Sequence, residues 1–399
     1  MAELDRLTAR AGRWLPTAFP VIVAAGLVVT PVPVWALAFY LSVPVLVALR
    51  LRGGWRPHLA DPAVALALAL VLWSSLAVVW GYDPSGHGRS AWVWLGNGVC
   101  TLAFLLGGLA ATERADGIER VEIWWILGGA ANALASILQH LAVENRVSRL
   151  YGWGITGEAV MGGAVVGALF VLTLDRLLRR RGPRIVQAAC LVGFGVFLVM
   201  SGGRGAVLAV AVAVLYRMAA ESRRVWAWVG GAGVAAAVVA VAIDPRGTVA
   251  ILRSAAMRGS DQHVTLWRIA LHEIVQRPVL GFGPAARFPV SLPDLPYSFP
   301  HNLYLSLLFY SGAVGLVIFL ALIVVLLVRL RRIADRALGR GRIALLLVPL
   351  VGGLTDFSQI IKGPAPIWFV FWLPLLCCLD SVRARPGPAP LDPAGEQSR

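Results

Sequence analysis

Apolar runs of roughly 20 residues recur from one end of this 399-residue chain to the other, with short arginine-bearing connections between them. Runs of that length are buried in lipid only as structures that pair every backbone N–H and C=O internally, which leaves helices and closed barrels. The short alternating strands of a barrel are not seen, so the chain reads as an all-α polytopic membrane protein. Composition agrees: 58% of residues are hydrophobic and 14% charged, against about 25% charged in soluble domains.

The pattern predicts about twelve transmembrane helices, at 14–30, 32–49, 63–80, 91–111, 123–143, 158–175, 185–200, 205–217, 225–243, 302–328, 343–358 and 364–381. The first nine occupy 1–243. A large helical loop follows at 244–301, then three more helices over 302–381, and a Pro- and Gly-rich tail at 382–399 that reads as disordered and cytoplasmic. The opening MAELDRLTARAGRW reads as a leader into an uncleaved first helix. The four cysteines, Cys100, Cys190, Cys377 and Cys378, lie in apolar runs without the spacing of a disulfide framework or a zinc site.

The formal charge of +15 would point to nucleic acid in a soluble protein. Here the distribution gives a membrane explanation instead. With the N-terminus cytoplasmic, 25 of the 36 basic residues fall on the cytoplasmic side, and six of the other 11 lie in the long loop 244–301. The runs RLLRRRGPR at 176–184 and RLRRIADRALGRGR at 329–342 read as ordinary cytoplasmic anchors. Against that trend, Arg89, Arg146, Arg149, Arg204 and Lys362, the lone lysine, sit in short outer connections.

The long loop carries its own pattern. DQHVTLWRIALHEIVQRP, 261–278, fits an amphipathic helix with Val264, Trp267, Leu271 and Ile274 as its apolar stripe, and Thr265, Arg268, His272 and Gln276 on another face. Pro278 ends it and GFGP at 281–284 turns the chain. Pro289, Pro293, Pro296 and Pro300 then lead to His301.

Two positions invite chemistry. Gly202-Gly203-Arg204-Gly205 opens onto a helix N-terminus, where backbone N–H groups, the dipole and a guanidinium together suit phosphate. The plainer account is an arginine snorkelling to the interface. His301, in the first turn of the tenth span with Ser298 as N-cap, would be kept neutral by the helix N-terminus and could accept a proton. Its plainer account is an interfacial histidine bonded to backbone. Arg268 and Arg149 read equally as solvated arginines, His263 and His272 as accessory, His87 as solvated, and Asp356 as a cap or structural partner. No P-loop, HExxH or paired outer acids offer a seat for a metal, so an outer-face reaction would use a substrate activated beforehand.

Three ordered segments, SGGRGAVL at 201–208, LWRIALHEIVQRPVLGFGP at 266–284 and HNLYLSLLFYSGAVGL at 301–316, together with RLYGWG at 149–154, resemble the O-antigen ligase / O-antigen polymerase superfamily of bacterial membrane glycosyltransferases. The resemblance covers roughly 149–320 by motif. Two positions depart from it: the family often has Ser-Arg-Gly where this chain has Gly203-Arg204-Gly205, and often an arginine where this chain has His263. It implies a GT-C-type, inverting glycosyltransferase without cofactor or metal. The donor would be a glycan on undecaprenyl pyrophosphate, and the acceptor a sugar hydroxyl of lipid A-core, met at the periplasmic face of the inner membrane. Arg204, with Arg268 or Arg149, would hold the pyrophosphate, and His301 would be the base. His263 and Asp356 would be accessory. Only one large outer loop is present, which favours a ligase over an O-antigen polymerase using the same donor. A membrane transporter is the alternative of another class, and would place its polar site at mid-membrane between inverted repeats.

Overall fold

The computed structural model describes residues 2–56, 58–81, 91–142, 149–257, 261–289 and 299–383. Arg89, Arg146, His87, Pro293, Pro296, Ser298 and nearly all of the expected tail lie outside them. The described residues are helical with no strand. The helices are α1 (Ala2–Val28), α2 (Val32–Arg52), α3 (Pro62–Leu76), α4 (Ala91–Ala111), α5 (Gly117–Ala142), α6 (Ala159–Leu178), α7 (Arg184–Ser201), α8 (Arg204–Met218), α9 (Arg223–Ile243), α10 (Pro245–Met257), α11 (Asp261–Gln276), α12 (Leu303–Arg332), α13 (Arg336–Gly352) and α14 (Leu373–Val382).

Of these, α2, α4, α5, α6, α7, α9 and α12 are long and apolar enough to cross a membrane, and α3 and parts of α1 and α14 are shorter apolar helices. Each of the twelve expected segments is met by a helix, several with bounds shifted by a few residues, and two differ most. The eleventh, expected at 343–358, begins earlier, where the Asp335 side chain caps the Leu338 N–H at 2.9 Å, and ends at Gly352. Residues 353–359 are therefore irregular, and Asp356 stands in a loop. The tenth is not continuous. Gly312 (φ 65°, ψ −174°) breaks α12 into two half-helices.

The break at Gly312 has a structural cause that accounts for its backbone groups. The segment after α11 crosses it: Ala313 N–H donates to Pro278 O at 2.8 Å, while Phe309 O and Tyr310 O accept from Phe282 N–H at 2.7 Å and Gly283 N–H at 3.0 Å. Trp73 Nε1 donates to Ser311 O at 2.9 Å. A Cβ on Gly312 would lie 2.1 Å from Val279 O, so only glycine admits the crossing. GFGP is thus a clasp onto α12 as well as a turn.

The core centres on α6, α14 and the middle of α13, while α2 and α9 lie at the periphery. An aromatic cluster joins α1, α2, α4 and the π-turn before α14: Phe104 and Trp368 have ring centroids 4.5 Å apart, and Phe39 and Trp368 4.7 Å. Small residues admit close helix approach, as where Gly128 of α5 meets the Ala24 backbone of α1.

At the end of the bundle opposite Arg204, buried charges tie the helices together. Glu122 of α5 pairs with Arg176 of α6 at 2.5 Å and with Arg342 of α13. Asp175 of α6 pairs with Arg217 of α8 at 2.7 Å and Arg179 at 2.8 Å. Arg329 reaches Asp61, the N-cap of α3, at 2.6 Å. Several arginines read as membrane anchors are therefore also interhelical ties, because carboxylates from neighbouring helices meet them there.

Candidate functional site

α7 ends at Gly202 in the left-handed conformation (φ 59°, ψ 25°), Gly203 is extended, and Arg204 is the first residue of α8. Arg204 is exposed. The chain before α6 is pinned to this turn: Arg149 Nε donates to Ser201 O at 2.7 Å and Leu150 N–H to Met200 O at 3.0 Å, satisfying the last carbonyls of α7. Arg149 and Arg204 therefore flank one glycine turn. A Cβ on Gly205 would sit 2.3 Å from Thr355 Oγ1, so the α8 N-terminus is pressed against the residue that precedes Asp356.

His301 is not in the first turn of α12, as expected, but just before its N-cap. The cap is Asn302, whose side chain accepts from Tyr304 N–H and Leu305 N–H, each at 3.0 Å. Asn302 Nδ2 also donates to Leu354 O at 2.9 Å, and Leu303 N–H to Gly353 O at 2.7 Å, which fastens the start of α12 to the loop after α13. His301 itself has φ 49°, and Phe357 φ 73°. Two side-chain-bearing residues held at positive φ mark a locally strained backbone.

Between them stands the central pair of the site: His301 Nδ1 lies 3.0 Å from Asp356 Oδ1, which also accepts from Phe357 N–H at 2.8 Å. With Asp356 engaging Nδ1–H, the proton-accepting atom of the neutral ring is Nε2. The Phe299 ring stacks on the imidazole, centroids 3.9 Å apart. Sequence reading singled out both His301 and Asp356 but gave no sign that they pair, since 55 residues separate them.

His263 of α11 comes to 6.1 Å from His301, centroid to centroid. Burial, then the neighbouring His301 and Arg204 charges, lower its pKa against the pull of Asp356. His263 thus stands beside the His301–Asp356 pair, and the Gly205–Thr355 contact brings the Arg204 turn to the same loop. His263 Nδ1 is buried without a hydrogen-bond partner among the described residues.

Arg268 is placed differently. The buried face of α11 is Leu266, Ala270 and Ile274, with Trp267 beside it, whereas Val264 and Leu271 are exposed, so the expected stripe is corrected by about a quarter-turn. Arg268 lies about 140° around the helix from His263 and is exposed, as is His272. The structure brings Arg149, Arg204, His263, His301 and Asp356 to one end of the bundle and turns Arg268 outward from it.

A cavity of about 320 Å³ opens beside the pair, with Phe299 and Phe357 in its wall together with Glu158, Gln359 and Lys362. Sequence reading noted Lys362 only as an outer-loop charge and passed over Glu158. Among the described residues no group of three or more His, Cys, Asp or Glu forms a candidate metal site.

Residues 188–320 match the family model described as O-antigen ligase, a span that holds Arg204, His263, Arg268 and His301. The chain is also similar to the O-antigen ligase of Pseudomonas aeruginosa, 23% identical over 334 residues that cover 80% of this chain and 78% of that protein. These two matches, one local and one over about four-fifths of the chain, support the resemblance to the O-antigen ligase superfamily.

Proposed function

We propose that this protein is an O-antigen ligase, a GT-C-type inverting glycosyltransferase. It moves a glycan from undecaprenyl pyrophosphate to a sugar hydroxyl of lipid A-core at the periplasmic face of the bacterial inner membrane. The observation that carries the reading is the His301–Asp356 pair, 3.0 Å apart, on a loop against which the Arg204 turn is packed at Gly205 and Thr355.

In this reading the acceptor hydroxyl gives its proton to His301 Nε2 while its oxygen bonds to the anomeric carbon of the donor glycan. The bond from that carbon to the phosphate oxygen breaks, and the electron pair leaves with the pyrophosphate. Pyrophosphate is already a good leaving group, so the departing negative charge needs stabilising more than protonating. Arg204, the α8 N-terminus and Arg149 supply that stabilisation as fixed cations and dipoles. Asp356 is a positioning residue that fixes the imidazole tautomer, and His263 is accessory. Arg149 suits the second phosphate contact better than Arg268, which faces the other way. Base and phosphates act on opposite sides of the anomeric carbon, which inverts it.

The test is purified protein given lipid-linked glycan with either lipid A-core or more donor. Extension of lipid A-core is expected; extension of the donor chain alone would make the protein a polymerase. His301→Ala and Arg204→Ala should each abolish transfer while leaving folded protein in the membrane. Full activity of both variants would reject the mechanism. Chelation with EDTA should leave the rate unchanged, and a strict requirement for a divalent ion would reject the role given to the arginines.

A further inference from the structure

We propose that Asn132, buried in α5, is a positioning residue for the transfer: it holds the segment 149–157 in the place from which Arg149 meets the pyrophosphate. The inference rests on the reading of Arg149 as the second phosphate contact.

An amide side chain inside a membrane-length apolar helix is costly unless its polar atoms find partners. Asn132 is 1% exposed, and its amide is fully engaged. Nδ2 donates to Leu27 O at 2.6 Å and to Trp153 O at 2.8 Å, and Oδ1 accepts from Thr156 Oγ1 at 2.9 Å. Ser136, one turn further along the same face of α5, donates to Asn132 O at 2.7 Å and accepts from Trp153 N–H at 2.8 Å. Ser136 and Thr156 are as deeply buried as Asn132. The Trp153 indole N–H donates to Val28 O at 3.1 Å. Leu27 and Val28 end α1, where the last carbonyls have no partner within the helix. One asparagine therefore joins three pieces of chain: the end of α1, α5 and the turn from Trp153 to Thr156.

That turn continues the stretch that carries Arg149. At its other end Leu150 N–H is bonded to Met200 O and Arg149 Nε to Ser201 O, both on the end of α7. From Leu150 to Trp153 is three residue steps, at most about 10 Å of chain. With a link so short fixed at both ends, Arg149 has little freedom. If Trp153 is released, the link can swing about its α7 end and take the guanidinium with it. None of these bonds involves His301, Asp356 or Arg204, so Asn132 reaches the chemistry through Arg149. Asn302 performs the matching task for His301 from the start of α12.

The test uses the full chain in lipid nanodiscs with Asn132→Leu, Thr156→Val, Thr156→Ser, Arg149→Ala and the double variant Asn132→Leu with Arg149→Ala. Two readouts are taken: glycan transfer from the lipid-linked donor to lipid A-core per folded protein, and hydrogen exchange at the amides of 150–156. Asn132→Leu should lower kcat by up to about 100-fold, the cost of a misplacement near 1 Å. The KM for lipid A-core should stay unchanged, and exchange at 150–156 should quicken. Thr156→Val removes one hydrogen bond without changing shape, and serves if Asn132→Leu does not fold. It should lose about 10-fold in kcat, most of which Thr156→Ser should keep. In the Arg149→Ala background Asn132→Leu should add no further loss, which a merely structural role would not produce. Wild-type transfer by Thr156→Val and Asn132→Leu, unchanged exchange at 150–156, or losses that multiply in the double variant would overturn the inference and leave the phosphate role of Arg149 standing. Full transfer by Arg149→Ala would overturn that role itself, and the inference with it.

Discussion

At one end of the bundle Arg176, Arg217 and Arg342 are buried among Glu122 and Asp175; at the other, Arg204 is exposed on a glycine turn with Arg149 beside it. The residue type is the same, and the surroundings differ in every respect that sets its use. In the buried cluster each guanidinium faces a carboxylate from another helix, so charge is balanced and helix positions are fixed. Around Arg204 the named ionisable neighbours are His263, His301 and Asp356, the backbone departs from helical geometry, and a cavity lies alongside. Burial with a matched carboxylate makes an arginine a tie, while exposure at a helix start leaves it able to meet an arriving anion.

That contrast can be broken by exchanging its consequences. Arg342→Ala should lose the most stability, about 3–5 kcal/mol, because it leaves the buried Glu122 charge short of a partner; thermal unfolding in detergent, with activity measured on the fraction that remains folded, reads it. Arg204→Ala should do the reverse. Its unfolding midpoint should match wild type while transfer falls by about 10²–10³-fold, the usual cost of one group stabilising developing charge. An Arg204→Ala protein that unfolds as readily as Arg342→Ala would remove the distinction. Arg204→Lys should recover part of the loss, since it keeps the charge and gives up the fork. Asp356→Asn should reduce kcat without changing the KM for donor, with a pH profile displaced from wild type, because it perturbs the tautomer and orientation of His301 and leaves the base in place.

The smallest effect concerns acid. His263 has its pKa lowered by burial and by the charges of His301 and Arg204. A histidine of this kind binds its proton more readily once unfolded, so stability is full above the ordinary histidine value of about 6.5 and declines as pH falls below it toward the depressed folded-state value. His263→Gln should flatten that decline between pH 7.5 and pH 5 in thermal unfolding curves. An unchanged pH slope would remove His263 from the account.

Most of the helix layout was legible because a hydrocarbon-length apolar run has few alternatives. What escaped the sequence depended on neighbours. In the run from Leu303 onward the one local hint is the Ser311-Gly312 pair, which many unbroken helices tolerate; the break itself needs the backbone of Val279 pressed against it. The buried face of α11 was misjudged because its outward face is apolar too, with Leu271 and Val275 exposed. His301 was visible as a histidine at a helix start, but its partner arrives from the loop after α13, which was expected to be helix. The turn at Arg204 was legible through its glycines, which interrupt two apolar runs and mark where one helix ends and the next begins. Glu158 gave no signal at all, being an ordinary acid before an apolar helix.

The clasp of α11's trailing segment on the broken helix has a bearing on traffic. Four backbone hydrogen bonds join residues 278–283 to residues 309–314, and Trp80 Nε1 donates to Leu280 O at 3.1 Å across the outside. At a net 0.5–1.5 kcal/mol for each bond, prying that seam apart would cost on the order of 2–6 kcal/mol before any substrate moved. A gate that swings on this seam would stand shut nearly all the time, so any bulky substrate of the proposed reaction would have to enter elsewhere.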